Sequence, residues 1–99
     1  MDISRIVGFD WDNGNARKNE AHEVSQTEAE QVFFNLPLIA LDVAHSREEP
    51  RHHALGCTEV QRFLHITFTL RNEGKLTRVI SARPMSRKER AIYESTKNP

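Results

Sequence analysis

From Arg62 to Arg71 the side chains alternate: Leu64, Ile66, Phe68 and Leu70 take one side and Phe63, His65, Thr67 and Thr69 the other. An extended strand with one face against a core turns that pattern into burial. Asn72-Glu73-Gly74 follows, with Gly74 suited to a positive φ, and Lys75 to Arg83 returns as the antiparallel partner before Pro84 stops it. Such a hairpin needs further strands or helices over its apolar side to be stable.

The rest of the chain supplies them. Leu38 to Ala44 and Arg51 to Thr58 read as two more strands, separated by the polar, proline-containing segment His45 to Pro50, and Ile6 to Trp11 reads as a short first strand. One helix is expected from Asn13 to His22, with Asp12 or Asn13 as its cap. A second opens at Ser25-x-x-Glu28 and Thr27-x-x-Glu30, and its Ala29, Val32, Phe33 and Leu36 form a stripe to be buried before Pro37 ends it. Ser86-x-x-Glu89 opens a terminal helix from Arg87 to about Thr96. With no repeat or linker, residues 1–99 read as one α+β domain: a curved antiparallel sheet, two N-terminal helices packed on it and a C-terminal helix. The helices are expected to cover one face, leaving the other free for Arg51, Arg71, Arg78 and Arg83 to converge.

Hydrophobic residues at 37% and charged residues at 28% of 99 positions fit one modest core. No apolar run approaches the roughly 20 residues that cross a bilayer, and Met1-Asp2-Ile3-Ser4-Arg5 lacks the basic start and long apolar stretch of a secretion signal. The lone Cys57 has no disulfide partner within the chain. A cytoplasmic protein without membrane contact is expected. The zero net charge conceals a division: residues 1–50 carry 4 basic and 10 acidic groups, residues 51–99 carry 10 basic and 4 acidic. The two readings are a basic patch for polyanions and mutual neutralisation across the fold.

Phe9-Asp10-Trp11-Asp12, Arg17-Lys18-Asn19 and His22-Glu23-Val24-Ser25 resemble the opening of the BrnT family. The resemblance continues through Glu28-Ala29, Val32-Phe33, Arg51, Ala54-Leu55-Gly56 and Phe68-Thr69-Leu70-Arg71. It ends in the block from Arg78 through Ser81-Ala82-Arg83-Pro84-Met85-Ser86-Arg87-Lys88-Glu89-Arg90 to Tyr93-Glu94, its most specific part. The chain departs from the family pattern at Glu23, where glycine is usual, at Gln26, where an aromatic is common, and at Asn13-Gly14. A residue other than glycine at 23 bears on the turn after the first helix and on the aim of His22. The resemblance implies a RelE-like fold and a bacterial toxin that cuts RNA. It also implies a BrnA-type antitoxin that neutralises the toxin, two toxins on an antitoxin dimer as a heterotetramer, and operator DNA reached only through the antitoxin.

RNA can be cleaved without a metal when its 2′-hydroxyl attacks the adjacent phosphorus, provided the protein accepts a proton, steadies the extra negative charge and protonates the leaving 5′-oxygen. A guanidinium suits the second task. Arg83, fixed before Pro84, is the first choice, with Arg71 beside it in the catalytic set. Strict alternation turns Arg78 to the face opposite Arg83. Lys18, Arg51, Arg78, Arg87 and Arg90 are candidate phosphate contacts. For proton transfer the candidates are His22, Tyr93 if an arginine lowers its pKa, and Glu59. Each has an ordinary alternative: a helix-end cation, a core tyrosine, an exposed turn carboxylate. Trp11 either stacks on a base or packs beneath the first helix. His45, His52, His53, His65 and Cys57 match no zinc spacing, and neither metal nor cofactor is expected. The competing expectation is a catalytically degenerate RNA- or protein-binding module of the same fold.

Overall fold

The computed structural model describes residues 3–20, 22–46 and 48–97, without the side chains of 18–20 and 97. These residues form a 3-10 turn (Ile3–Arg5), strands β1 (Gly8–Phe9), β2 (Leu38–Asp42), β3 (Arg51–Cys57), β4 (Phe63–Arg71) and β5 (Leu76–Pro84), and helices α1 (Asn13–Glu20), α2 (Gln26–Phe34) and α3 (Arg87–Lys97). The sheet order is β1-β5-β4-β3-β2. β2 to β5 form an antiparallel meander, but β1 lies parallel to β5, so the sheet is mixed where an antiparallel one was expected. β1 and β2 sit on opposite edges, and the chain passes between them through α1, packed against β5, and α2, which covers one face of the sheet over β3 and β4.

That face is the core. Leu64, Ile66 and Phe68 of β4 are fully buried with Ala54, Val79 and Ala82 from the flanking strands, under Val24, Ala29, Val32 and Phe33 from α2 and its approach. Each large side chain removed from water contributes about 1.5–3 kcal/mol. Phe33 stands edge-on to Phe68 at 4.9 Å. α2 presses so close to β3 that a Cβ on Gly56 would lie 2.9 Å from Val32 Cγ1. The Ser25–Glu28 capping box opens α2. The helix closes at Phe34, so Leu36 falls in the connecting loop with φ 48° and is 78% exposed instead of completing the buried stripe.

Two departures reshape the other face. α3 folds back onto it, with Tyr93 edge-on to Phe63 at 6.0 Å and Glu89 reaching β4 and β5, so the helices lie on both sides of the sheet. β5 also carries a bulge. Ser81 pairs with Thr67 and Val79 with Phe68, leaving Ile80 as the extra residue. The bulge reverses the alternation below it: Arg78, opposite Thr69, joins Ser81 and Arg83 on the α3 side, and the expected opposition of Arg78 and Arg83 does not occur. In the β4–β5 turn, positive φ extends over Asn72, Glu73 and Gly74. None of the helices in the described residues is long and apolar enough to cross a membrane.

Candidate active site

The ends of β3, β4 and β5 place Arg51, Arg71 and Arg78 around a cleft of 760 Å³, closed on one side by His45, Glu48 and Glu49 and on the other by Gly14 and Asn15 of α1. Asn15 braces that wall, its amide donating to the carbonyls of Asp10 and Val79 at 3.0 Å each. The arginines arrive with partners. Arg71 donates through Nε and Nη2 to the two carboxylate oxygens of Glu49, at 2.7 and 2.9 Å, the fork geometry by which arginine also grips phosphate. Arg78 donates to Asp12 at 2.8 Å and lies 3.5 Å from Asp10. With Arg62 on Glu28 at 3.0 Å, three arginines of the basic half pair with carboxylates of the acidic half. Neutralisation across the fold is therefore real at Arg62, Arg71 and Arg78.

Arg83 is elsewhere on the same face. It stands opposite His65, six residues along β4 from Arg71, roughly 20 Å at the rise of a strand. Arg51, Arg71 and Arg78 converge; Arg83 does not join them. Arg83 has its own surroundings. Its guanidinium donates to both oxygens of Glu89 at 2.8 Å, and Nη2 lies 2.9 Å from His65 Nδ1. His65 Nε2 is 2.8 Å from His53 Nδ1, and His53 Nε2 is 3.0 Å from Asp42 Oδ2. An arginine only donates and a carboxylate only accepts, so with two neutral rings between Arg83 and Asp42 the relay runs Arg83 to His65, His65 Nε2–H to His53, His53 Nε2–H to Asp42, whereas the Glu89 carboxylate at the same His65 Nδ1 favours a proton there. Glu89 Oε2 lies 2.6 Å from the same His65 Nδ1. Burial pushes His65 below the usual imidazole value, while the hydrogen bonds from Arg83 hold the Glu89 carboxyl far below the carboxylate range.

The remaining candidates are dispersed. His22 is exposed in the connection between α1 and α2, on the other side of the sheet, and the Lys18 side chain lies outside the described residues. Tyr93 is buried, its hydroxyl donates to Cys57 Sγ at 3.8 Å, and burial pushes its pKa up to about 12, not down. Arg87 is exposed on the first turn of α3. Arg90 bonds Glu94 at 2.8 Å and lies 4.2 Å over the Phe63 ring. Glu59 is exposed in the turn between β3 and β4. Trp11 packs against the core with its Nε1–H donating to Glu30 at 2.8 Å. Sequence reasoning missed Asp42, His53, His65 and Glu89 as a unit. The alternation put His65 on the correct face, and Ser86-x-x-Glu89 announced a cap; the β3–β4 register that joins the two rings had no local signal.

Fold and site define a small α+β protein that turns a row of guanidinium and imidazole groups to one face of its sheet, an arrangement suited to a polyanion. The family model for the ribonuclease toxin BrnT of type II toxin-antitoxin systems matches residues 11–89, and the chain belongs to that family. Membership implies an RNA substrate and an antitoxin partner. No curated protein matches the chain.

Proposed function

We propose that this chain is a metal-independent, RelE-like endoribonuclease of the bacterial cytoplasm, cleaving RNA by attack of its own 2′-hydroxyl and held inactive by a BrnA-type antitoxin. The observation that carries the reading is the common face shared by Arg51, Arg71 and Arg78 around one cleft and by Arg83 with two imidazoles farther along. The cleft arginines hold the backbone of the RNA, and Arg83 steadies the charge that develops at the reacting phosphorus. The antitoxin covers this face in a heterotetramer of two toxins on an antitoxin dimer, which alone touches operator DNA. Digestion of end-labelled RNA with a chelator present tests the reading: a 2′,3′-cyclic phosphate product and loss of cleavage with Arg83→Ala are expected, and intact RNA refutes it.

One observation favours a second reading, a binding module without cleavage: Arg71, Arg78 and Arg83 each already hold a carboxylate. Induction without the antitoxin separates the two. Growth arrest relieved by Arg83→Ala belongs to the nuclease, and unaffected growth with folded protein to the binder.

A further inference from the structure

Asp42, His53 and His65 lie on three adjacent strands and hand one hydrogen bond to the next, ending at Arg83. Asp42 orients His53, and His53 Nδ1 accepts the Nε2–H of His65, which fixes the His65 tautomer with its lone pair on Nδ1. That nitrogen can gain a proton at the cost of one link, the hydrogen bond from Arg83, whose guanidinium still donates to Glu89. Once protonated it becomes a donor, and Glu89 Oε2, 2.6 Å away, is already in place to accept. A neutral ring with a prepared site for its cation is what a general base requires.

We propose that His65 is the general base of the RNA cleavage, with Asp42 and His53 as positioning residues that set its tautomer and Glu89 as the partner of the imidazolium it becomes. This rests on the ribonuclease reading and names the group that reading left open. A phosphodiester approaches the exposed side of the Arg83 guanidinium, draws Nη2 away from His65 Nδ1 and brings its 2′-hydroxyl to that nitrogen. Nδ1 takes the hydroxyl proton as the O2′–P bond forms. The P–O5′ bond breaks with its electron pair, the 5′-oxygen takes a proton from water, and the imidazolium returns its own to solvent. Burial, which pushes His65 below its usual value, keeps the ring able to accept at neutral pH. The other charged or titratable groups described on this face are His45 at Asp42, Arg51, Arg71 and Arg78 with their carboxylates around the cleft, Arg90 over Phe63, and Tyr93, one helical turn beyond Glu89, with Cys57 of β3 at its hydroxyl.

The test is single-turnover cleavage of a labelled single-stranded RNA in chelator, from about pH 5 to about pH 8, across the imidazole range, with wild type, His65→Gln and Asp42→Asn. Binding of the 2′-O-methyl version of the same RNA is measured in parallel. Wild-type cleavage is expected to fall on the acid side of the imidazole range. His65→Gln should lose on the order of 100-fold or more in rate together with that limb, while binding the methylated RNA within about three-fold of wild type. Asp42→Asn should lose less, roughly ten-fold, and move the limb to lower pH. Cleavage by His65→Gln within about five-fold of wild type, or binding lost in step with cleavage, overturns the base assignment and leaves the ribonuclease standing. Wild type that binds the methylated RNA but never cuts the unmodified one overturns both.

Discussion

Glu23 holds φ at 57°, the left-handed region that a residue with a Cβ enters at a cost of about 1–2 kcal/mol. The turn into α2 needs that conformation whichever residue stands there, and Arg62 fastens it by donating to the Glu23 carbonyl at 2.7 Å. The family's usual glycine is therefore replaced without its backbone shape being lost. Glu23→Gly should raise unfolding free energy by about 0.5–1 kcal/mol, the relieved strain less the greater freedom of glycine in the unfolded chain, read from the denaturant midpoint. Tyr93 supports a different prediction. With its pKa pushed up to about 12 and the ring packed on Phe63, its hydroxyl is poorly suited to move protons at neutral pH. Tyr93→Phe should leave RNA cleavage within a few-fold of wild type.

α3 depends on Glu89 more than on any apolar stripe, since Tyr93 is its one buried side chain among those described. Glu89 closes the capping box with Ser86, accepting from its backbone N–H at 2.8 Å, and also pairs with Arg83 and His65. Glu89→Gln keeps the capping geometry and drops the charge. It should cost roughly 1.5–3 kcal/mol in chemical denaturation, as for a hydrogen bond to an ionised group. The wild-type contribution has a pH sign. A carboxyl held below its ordinary 4.5 stabilises above that value and loses its contribution as pH falls through the range beneath it. At this scale the sequence was most readable where structure is local. Ser25-x-x-Glu28, Ser86-x-x-Glu89, the alternation of 62–71 and the stop at Pro84 each announce an element by the chemistry of adjacent residues. The parallel pairing of β1 with β5, the Ile80 bulge and the meeting of His53 with His65 depend on residues far apart in the chain. For that reason Arg83 could be chosen from its position, while its neighbours could not.

In the whole molecule the resolved acid-range shifts share one sign. His52 and His65 are lowered from 6.5 by burial, Asp12, Glu28 and Glu89 are lowered by the hydrogen bonds they accept, and Asp42 is lowered by its hydrogen bonds against the opposing effect of burial. The unfolded chain thus binds more protons than the folded one, so stability should fall as pH drops below about 6.5, first through the histidines and then through the carboxylates. At the alkaline end Tyr93 acts in the opposite direction, its folded pKa above the ordinary 10.0. Thermal midpoints are expected to form a plateau from about pH 6.5 to about pH 10 and to decline on both sides. A midpoint that rises on acidification would contradict the histidine shifts. The division of the molecule into a fatty side and a charged side rests on one supernumerary residue. Were Ile80 paired like its neighbours, the stretch below it would turn half a revolution, sending the Arg78 guanidinium under the helices and Val79 out to water; losing its codon would instead leave Ser81 on Thr67 and Val79 on Phe68 with both facings kept. Which residue of β5 is left without a partner thus sets the polarity of the protein, so deletion of Ile80 should prove milder than deletion of a paired residue nearby.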